Sequence, residues 1–125
     1  MKNYIFALVL ACACIFLCSC SSDDPSDNHS YYVKYEMKVV TKYIQSYNIN
    51  IATENGDTHT ATNSRDWEEI HGPFKFGDEV YLGIVAPNYA TITGRISVSI
   101  EQEPFVVKQN GEGVMGLRIT HTIGK

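Results

Sequence analysis

Val33-Lys34-Tyr35-Glu36-Met37-Lys38-Val39 is the stretch that decides the fold. Its apolar residues occupy every second position and charges lie between them. An extended chain therefore carries Val33, Tyr35, Met37 and Val39 on one face and Lys34, Glu36 and Lys38 on the other. A helix would scatter these side chains around its circumference. The stretch reads as a half-buried strand, and much of the chain beyond it keeps the same period.

Towards the C-terminus, Tyr47, Ile49, Ile51 and Thr53 alternate with Asn48 and Asn50. Glu54-Asn55-Gly56-Asp57 follows as a tight turn in which Gly56 can take positive φ, and 58–62 returns as an exposed, β-branched strand. Residues 63–73 break the alternation and read as a loop ending in a Gly72-Pro73 turn. In 79–86, Val80, Leu82 and Ile84 form one face and Tyr81 and Val85 the other, so this strand belongs in the middle of a sheet. Pro87-Asn88 turns the chain. Ile92, Ile96, Val98 and Ile100 then face inward, opposite Thr93, Arg95, Ser97 and Ser99, and Gly94 on the inner side points to a bulge or a close backbone approach. A turn at 101–104, a strand at 105–108, a hairpin at Asn110-Gly111-Glu112-Gly113, and a last strand with Met115, Leu117 and Ile119 inward complete the reading.

About seven short strands with almost no helical periodicity define an all-β chain, and an immunoglobulin-like antiparallel β-sandwich is the expected architecture. A closed lipocalin-like barrel would need eight longer strands around a cavity. The sandwich occupies residues 31–125, which is long enough to fold without a disulfide or a metal.

The segment before it decides compartment. Lys2 is a positive start, residues 4–17 are an apolar run of signal-peptide length, and a strongly polar segment follows. The run is too short to span a bilayer. Leu17-Cys18-Ser19-Cys20 resembles the bacterial lipoprotein signal, with Leu17 and Ser19 as the peptidase-recognition residues and Cys20 as the lipid-modified first residue. Cys14 and Cys18 fit less well, and an ordinary signal peptide cut nearby is the competing reading. The resemblance implies a cleaved leader at 1–19 and a lipidated Cys20 opening an acidic, disordered tether at 20–30, which has no large apolar side chain to bury. Cys12, Cys14 and Cys18 leave with the leader, so no thiol remains for a disulfide or a metal. Ser21-Ser22-Asp23-Asp24 resembles the acidic signal that directs Bacteroidetes lipoproteins to the outer face of the outer membrane. The expected location is the outer membrane, lipid-anchored and exposed at the cell surface.

Val33-Lys34-Tyr35-Glu36, Trp67 before Gly72-Pro73, Glu79-Val80-Tyr81-Leu82 and Ile96-Ser97-Val98 resemble small single-domain Bacteroidetes lipoproteins and, more distantly, the MmpS-type sandwich proteins of actinobacteria. MmpS-type proteins are accessory partners of membrane transporters. They usually anchor by a transmembrane helix, whereas this chain carries a lipobox.

Ten basic and fourteen acidic residues become nine and fourteen once Lys2 leaves, a balance of −5. The basic residues are scattered, so no nucleic-acid partner is expected. His29, His59, His71 and His121 lie far apart with no nucleophile motif beside them, and no catalytic residue is assigned. Asp66, Glu68, Glu69 and His71 lack the spacing of a Ca²⁺ loop and read as a solvated acidic loop, so neither a metal nor another cofactor is expected. Glu101 and Glu103 read as turn-flanking charges. Trp67, His71 and Tyr81 are the candidates for ligand or partner contact; for Trp67 a plug at one end of the sandwich competes with an exposed aromatic platform.

The expected function is a non-enzymatic binding or structural accessory module anchored at the envelope by its lipid. A glycan- or protein-binding module of an outer-membrane uptake or adhesion system is the first alternative, and a small metal-dependent hydrolase the second. The anchor is tested by labelling cells with palmitate: label enters the wild-type chain and is absent from Cys20→Ala, and equal labelling of both would place the modification elsewhere.

Overall fold

The computed structural model describes residues 28–124. The expectations at Leu17, Ser19, Cys20, Ser21, Ser22, Asp23 and Asp24 lie outside them. The described residues form eight strands and no helix: β1 (Tyr31–Val40), β2 (Tyr47–Thr53), β3 (Gly56–Thr62), β4 (Asp66–Phe74), β5 (Glu79–Val85), β6 (Thr91–Ile100), β7 (Val106–Val114) and β8 (Gly116–Thr122). They build two four-stranded sheets, ordered β4-β1-β6-β7 and β3-β2-β5-β8, with every pairing antiparallel. The molecule is the expected antiparallel β-sandwich, with eight strands rather than about seven, and is not a closed barrel. Only β2–β3 and β6–β7 join neighbours within a sheet; every other connection crosses between sheets.

β1 behaves as its period dictates. Tyr31, Val33, Tyr35, Met37 and Val39 are all buried. The strand is paired on both sides, and with β6 it runs in unbroken register from Tyr31↔Ile100 to Val40↔Thr91. Ile49, Ile51, Val80, Leu82 and Ile84 supply the facing layer of the core. β5 lies between β2 and β8, the central position expected of it.

Tyr35 ties the layers together. Its ring is fully buried, and its hydroxyl donates a 2.6 Å hydrogen bond to the Ala52 carbonyl of the other sheet. A buried phenol needs such a partner, because an unsatisfied hydroxyl in the core costs more than the bond itself contributes. Burial, reinforced by Tyr81 and Glu54, pushes its pKa well above the ordinary 10.0.

Two expectations are corrected. Of residues 63–73 only 63–65 are a loop, because Asp66–Phe74 form β4, the edge partner of β1. Trp67, Glu69 and His71 stand opposite Met37, Tyr35 and Val33, on the inner face. The period was present but inverted: the inward set is aromatic, acidic and imidazole, while apolar Ile70 points outward and is 53% exposed. An edge strand that only half covers the core tolerates that pattern.

Asn110-Gly111-Glu112-Gly113 is likewise not a hairpin. β7 runs through it to Val114, and the turn falls at Met115, whose φ is 62°. Met115 is thus a partly exposed corner and not an inward strand residue. The glycines serve proximity. Gly94 and Gly111 are paired in register, and a Cβ would stand 2.6 Å from Leu117 at the first and 2.5 Å from Ile119 at the second. Leu117 and Ile119 of β8 settle onto this bare patch, which is the close approach expected at Gly94.

Tyr35→Phe should lower stability by about 1–3 kcal/mol at neutral pH, since it strands the Ala52 carbonyl. A raised folded pKa means that the stability tied to the neutral phenol is fully present below 10.0 and is lost as pH rises beyond it. The wild-type advantage in urea midpoint should therefore shrink above pH 10. A constant difference across that range would contradict this role.

Candidate functional site

The direction of β1 defines two ends. At the first, the Ser30 amide donates to a Glu101 carboxylate oxygen at 2.9 Å and the Glu101 amide to the Ser30 carbonyl at 2.7 Å, while the Gly77 amide reaches the Ile123 carbonyl at 3.0 Å. At the other, the Met115 amide donates to the Ala90 carbonyl at 2.9 Å and the Ala86 amide to the Met115 carbonyl at 2.8 Å. The described chain therefore enters at one end of the sandwich and presents the β1–β2 and β5–β6 loops at the opposite end.

That far end carries apolar side chains in water. Ile44 is 96% exposed, Val40 76% and Tyr89 60%, with Tyr43 beside them. Val40, Thr41, Lys42, Tyr43, Tyr89 and Thr91 line a groove of about 700 Å³. Single exposed apolar residues are ordinary; a group of them concentrated on two adjacent loops marks a contact surface.

The loops are braced against each other. Gln45 is buried, and its side-chain amide imitates a strand: Nε2 donates to the Asn88 carbonyl at 3.4 Å and Oε1 accepts from the Asn88 amide at 2.7 Å. The Thr41 hydroxyl donates to the Tyr89 carbonyl at 2.7 Å and accepts from the Tyr43 amide at 3.1 Å. Lys42 lies 5.7 Å from the centre of the Tyr43 ring. The backbones that carry the aromatic residues are thus fixed before any partner arrives, which lowers the ordering cost of binding.

Trp67, His71 and Tyr81 do not converge. Trp67 is half-buried against the core edge, with Glu36, Met37, Lys38, Asp66 and Glu68 around a shallow groove of about 410 Å³. It is neither a loop plug nor an open platform. Tyr81 lies on the outer face of the other sheet, where the Arg118 guanidinium stands 4.3 Å from its ring centre. Burial raises its phenol pKa, the Asp57 carboxylate adds to that through its charge and a hydrogen bond, and Arg118 opposes it.

His71 lies on the inner face of β4 between two carboxylates. Its Nε2 is 3.0 Å from Glu69 and its Nδ1 3.6 Å from Glu54, and its ring centre is 6.3 Å from that of Tyr35. Glu54 also accepts the Gly72 amide at 3.0 Å. Backbone hydrogen bonds, first to its own amide and then to that of Gly72, hold the Glu54 carboxyl below its ordinary pKa, with His71 adding to the effect. Glu69 hydrogen-bonds Nε2 and Glu54 lies beside Nδ1, so the cluster links β4 of one sheet to the turn after β2 of the other. Among the described residues no group of three or more His, Cys, Asp or Glu is arranged to hold a metal.

No protein-family model, curated protein or solved structure matches this chain. Geometry therefore carries the functional reading. It favours the far-end loops, which the sequence signalled only through Tyr43-Ile44, an apolar pair set among polar residues between two strands.

Gln45→Ala should loosen this surface without unfolding the sandwich. A loss of about 1–2 kcal/mol is expected from its two bonds, with faster hydrogen exchange at the Asn88 amide. Unchanged exchange there would mean that the loops are held by something else.

Proposed function

We propose that this chain is a lipid-anchored, outer-membrane binding module whose apolar tip, Val40, Tyr43, Ile44 and Tyr89, docks a protein partner at the cell surface. The single observation behind it is the exposed apolar group on cross-braced loops, at the end of the sandwich opposite Ser30. With Cys20 as the anchor and Asp23 and Asp24 in the export signal, the chain enters the domain at its base. Ten residues of β1 then separate base from tip by roughly 33 Å. An anchored module built this way offers its tip to other molecules and keeps its base towards the bilayer.

The chemistry of the tip favours protein over glycan. Tyrosine rings serve either, because they stack on sugar faces as readily as they fill a protein pocket. Ile44 and Val40 have no stacking face, and their exposed surface is useful only when another apolar surface removes it from water. Aromatic anchors ringed by aliphatic contacts are the usual composition of a protein-binding hot spot.

The test is a photo-crosslinking amino acid at position 44 of the full chain in living cells, with position 120 on the outer face of β8 as the comparison. Position 44 should yield a discrete protein adduct that is absent at 120 and lost when Tyr43→Ala and Tyr89→Ala are added. Equal adducts at both positions, or adducts insensitive to the tyrosine changes, would refute the tip as the contact.

A further inference from the structure

A second cleft, of about 710 Å³, opens at the base of the sandwich, the end opposite the tip. Tyr31, Phe76, Val98, Ile100 and Val106 give it apolar walls. Ile100, Val106 and Phe76 are 43%, 54% and 42% exposed, so this surface is left uncovered by the fold itself. The volume falls within the range of small-molecule sites.

Its polar groups are few and specifically placed. β6 pairs Ile96 with Gln109 and Ser97 with Val107, so Lys108 is the extra residue of a β-bulge. Bulges redirect side chains, and Lys108 lines the cleft. Among the described residues no carboxylate comes within 4.0 Å of its ammonium. Across from it, His121 is paired in register with core-facing Val80, and its Nε2 is buried without a hydrogen-bond partner. Burial, followed by the nearby Lys108 charge, lowers the His121 pKa. Glu103, on the turn after β6, also contributes to the lining.

We propose that this cleft binds a monocarboxylate with a long apolar body, its chain lying along Val98, Ile100 and Val106 and its carboxylate received by Lys108 beside His121. Lys108 is exposed where it lines the cleft and, among the described residues, has no ion pair, so its ammonium can receive an anion whose apolar body lies in the recess. A cation there would meet Lys108, and an uncharged ligand would forgo that charge-assisted bond. One ammonium balances one negative charge, and the Glu103 carboxylate in the same lining disfavours a second. Apolar walls on this scale contribute only if the rest of the ligand is hydrocarbon. This site is independent of the tip and of any protein docked there.

The test uses the full chain in lipid nanodiscs and a dodecanoate carrying a photoreactive diazirine near its methyl end, with adducts mapped by mass spectrometry. Adducts should fall on the β6, β7 and β8 segments at the base. Unlabelled dodecanoate should compete, and dodecanol should compete about tenfold less well, the factor expected for one charge-assisted hydrogen bond. Lys108→Gln should reduce labelling by about the same factor. Val106→Trp, which fills the cleft and keeps the charge, should abolish labelling. Labelling unaffected by Lys108→Gln, equal competition by dodecanol, or adducts spread over the whole surface would each overturn the assignment.

Discussion

The hydrogen bond from the Tyr35 hydroxyl to the Ala52 carbonyl is the contact on which the rest of the arrangement depends. Apolar packing brings two sheets together but is indifferent to how they slide. A buried phenol with one carbonyl in reach is not indifferent, because any displacement leaves two polar atoms unsatisfied in the core. Tyr35 lies on β1, which is paired on both sides, so its position is transmitted through the ladder to β4 and β6. Beside it, His71 and its two glutamates draw β4 towards the turn after β2. One side of the sandwich is thereby held by polar contacts.

The other side is held by the absence of side chains. Gly94 and Gly111 face each other and leave room for Leu117 and Ile119, so β8 packs closely there. Further down the same side neither device operates. The bulge at Lys108 carries β7 away from strict register, and the apolar cleft opens at that point. Tight closure in the middle of this side and an opening at its base follow from the same strands, with glycines in one stretch and a bulge in the next.

The two ends of the molecule differ for a related reason. A sandwich spends its apolar strand faces on the core, so surface available for recognition is concentrated in loops and at the ends of the layers. At the far end, Gln45 and Thr41 bond across to the backbone of Asn88 and Tyr89 and fix the loops that carry the exposed rings. At the base, the apolar side chains of Tyr31, Phe76, Val98, Ile100 and Val106 surround a recess. A rigid protruding surface suits a large partner, and a recess suits a small one. The proposed roles of tip and base rest on that distinction of shape as much as on composition.

Much of the fold was legible from residue order. β1 and β5 follow directly from strict period and from an apolar run on both faces, since strand geometry turns alternation into sides. β4 was hidden because an edge strand need not put its apolar residues inward: Ile70 faces water while Glu69 and His71 face the interior. β7 was hidden because glycine permits a turn and also permits close approach, and only the neighbouring strand decides which is meant. The tip was half visible in Tyr43-Ile44. The basal cleft was invisible, since Lys108 and His121 are thirteen positions apart and meet only where the bulge and β8 lie side by side.

The amino-acid order alone determined that this chain forms antiparallel strands, which faces of β1 and β5 are buried, and that the folded region, which contains no cysteine, must hold together without a disulfide of its own. Those properties are local, set by side-chain period and composition. Which strands are neighbours, how Tyr35 reaches Ala52, where His71 finds its carboxylates and where a cleft remains were decided only in the tertiary structure. Each depends on residues distant in sequence, and their encounter is fixed by which sheet a strand joins and in what register.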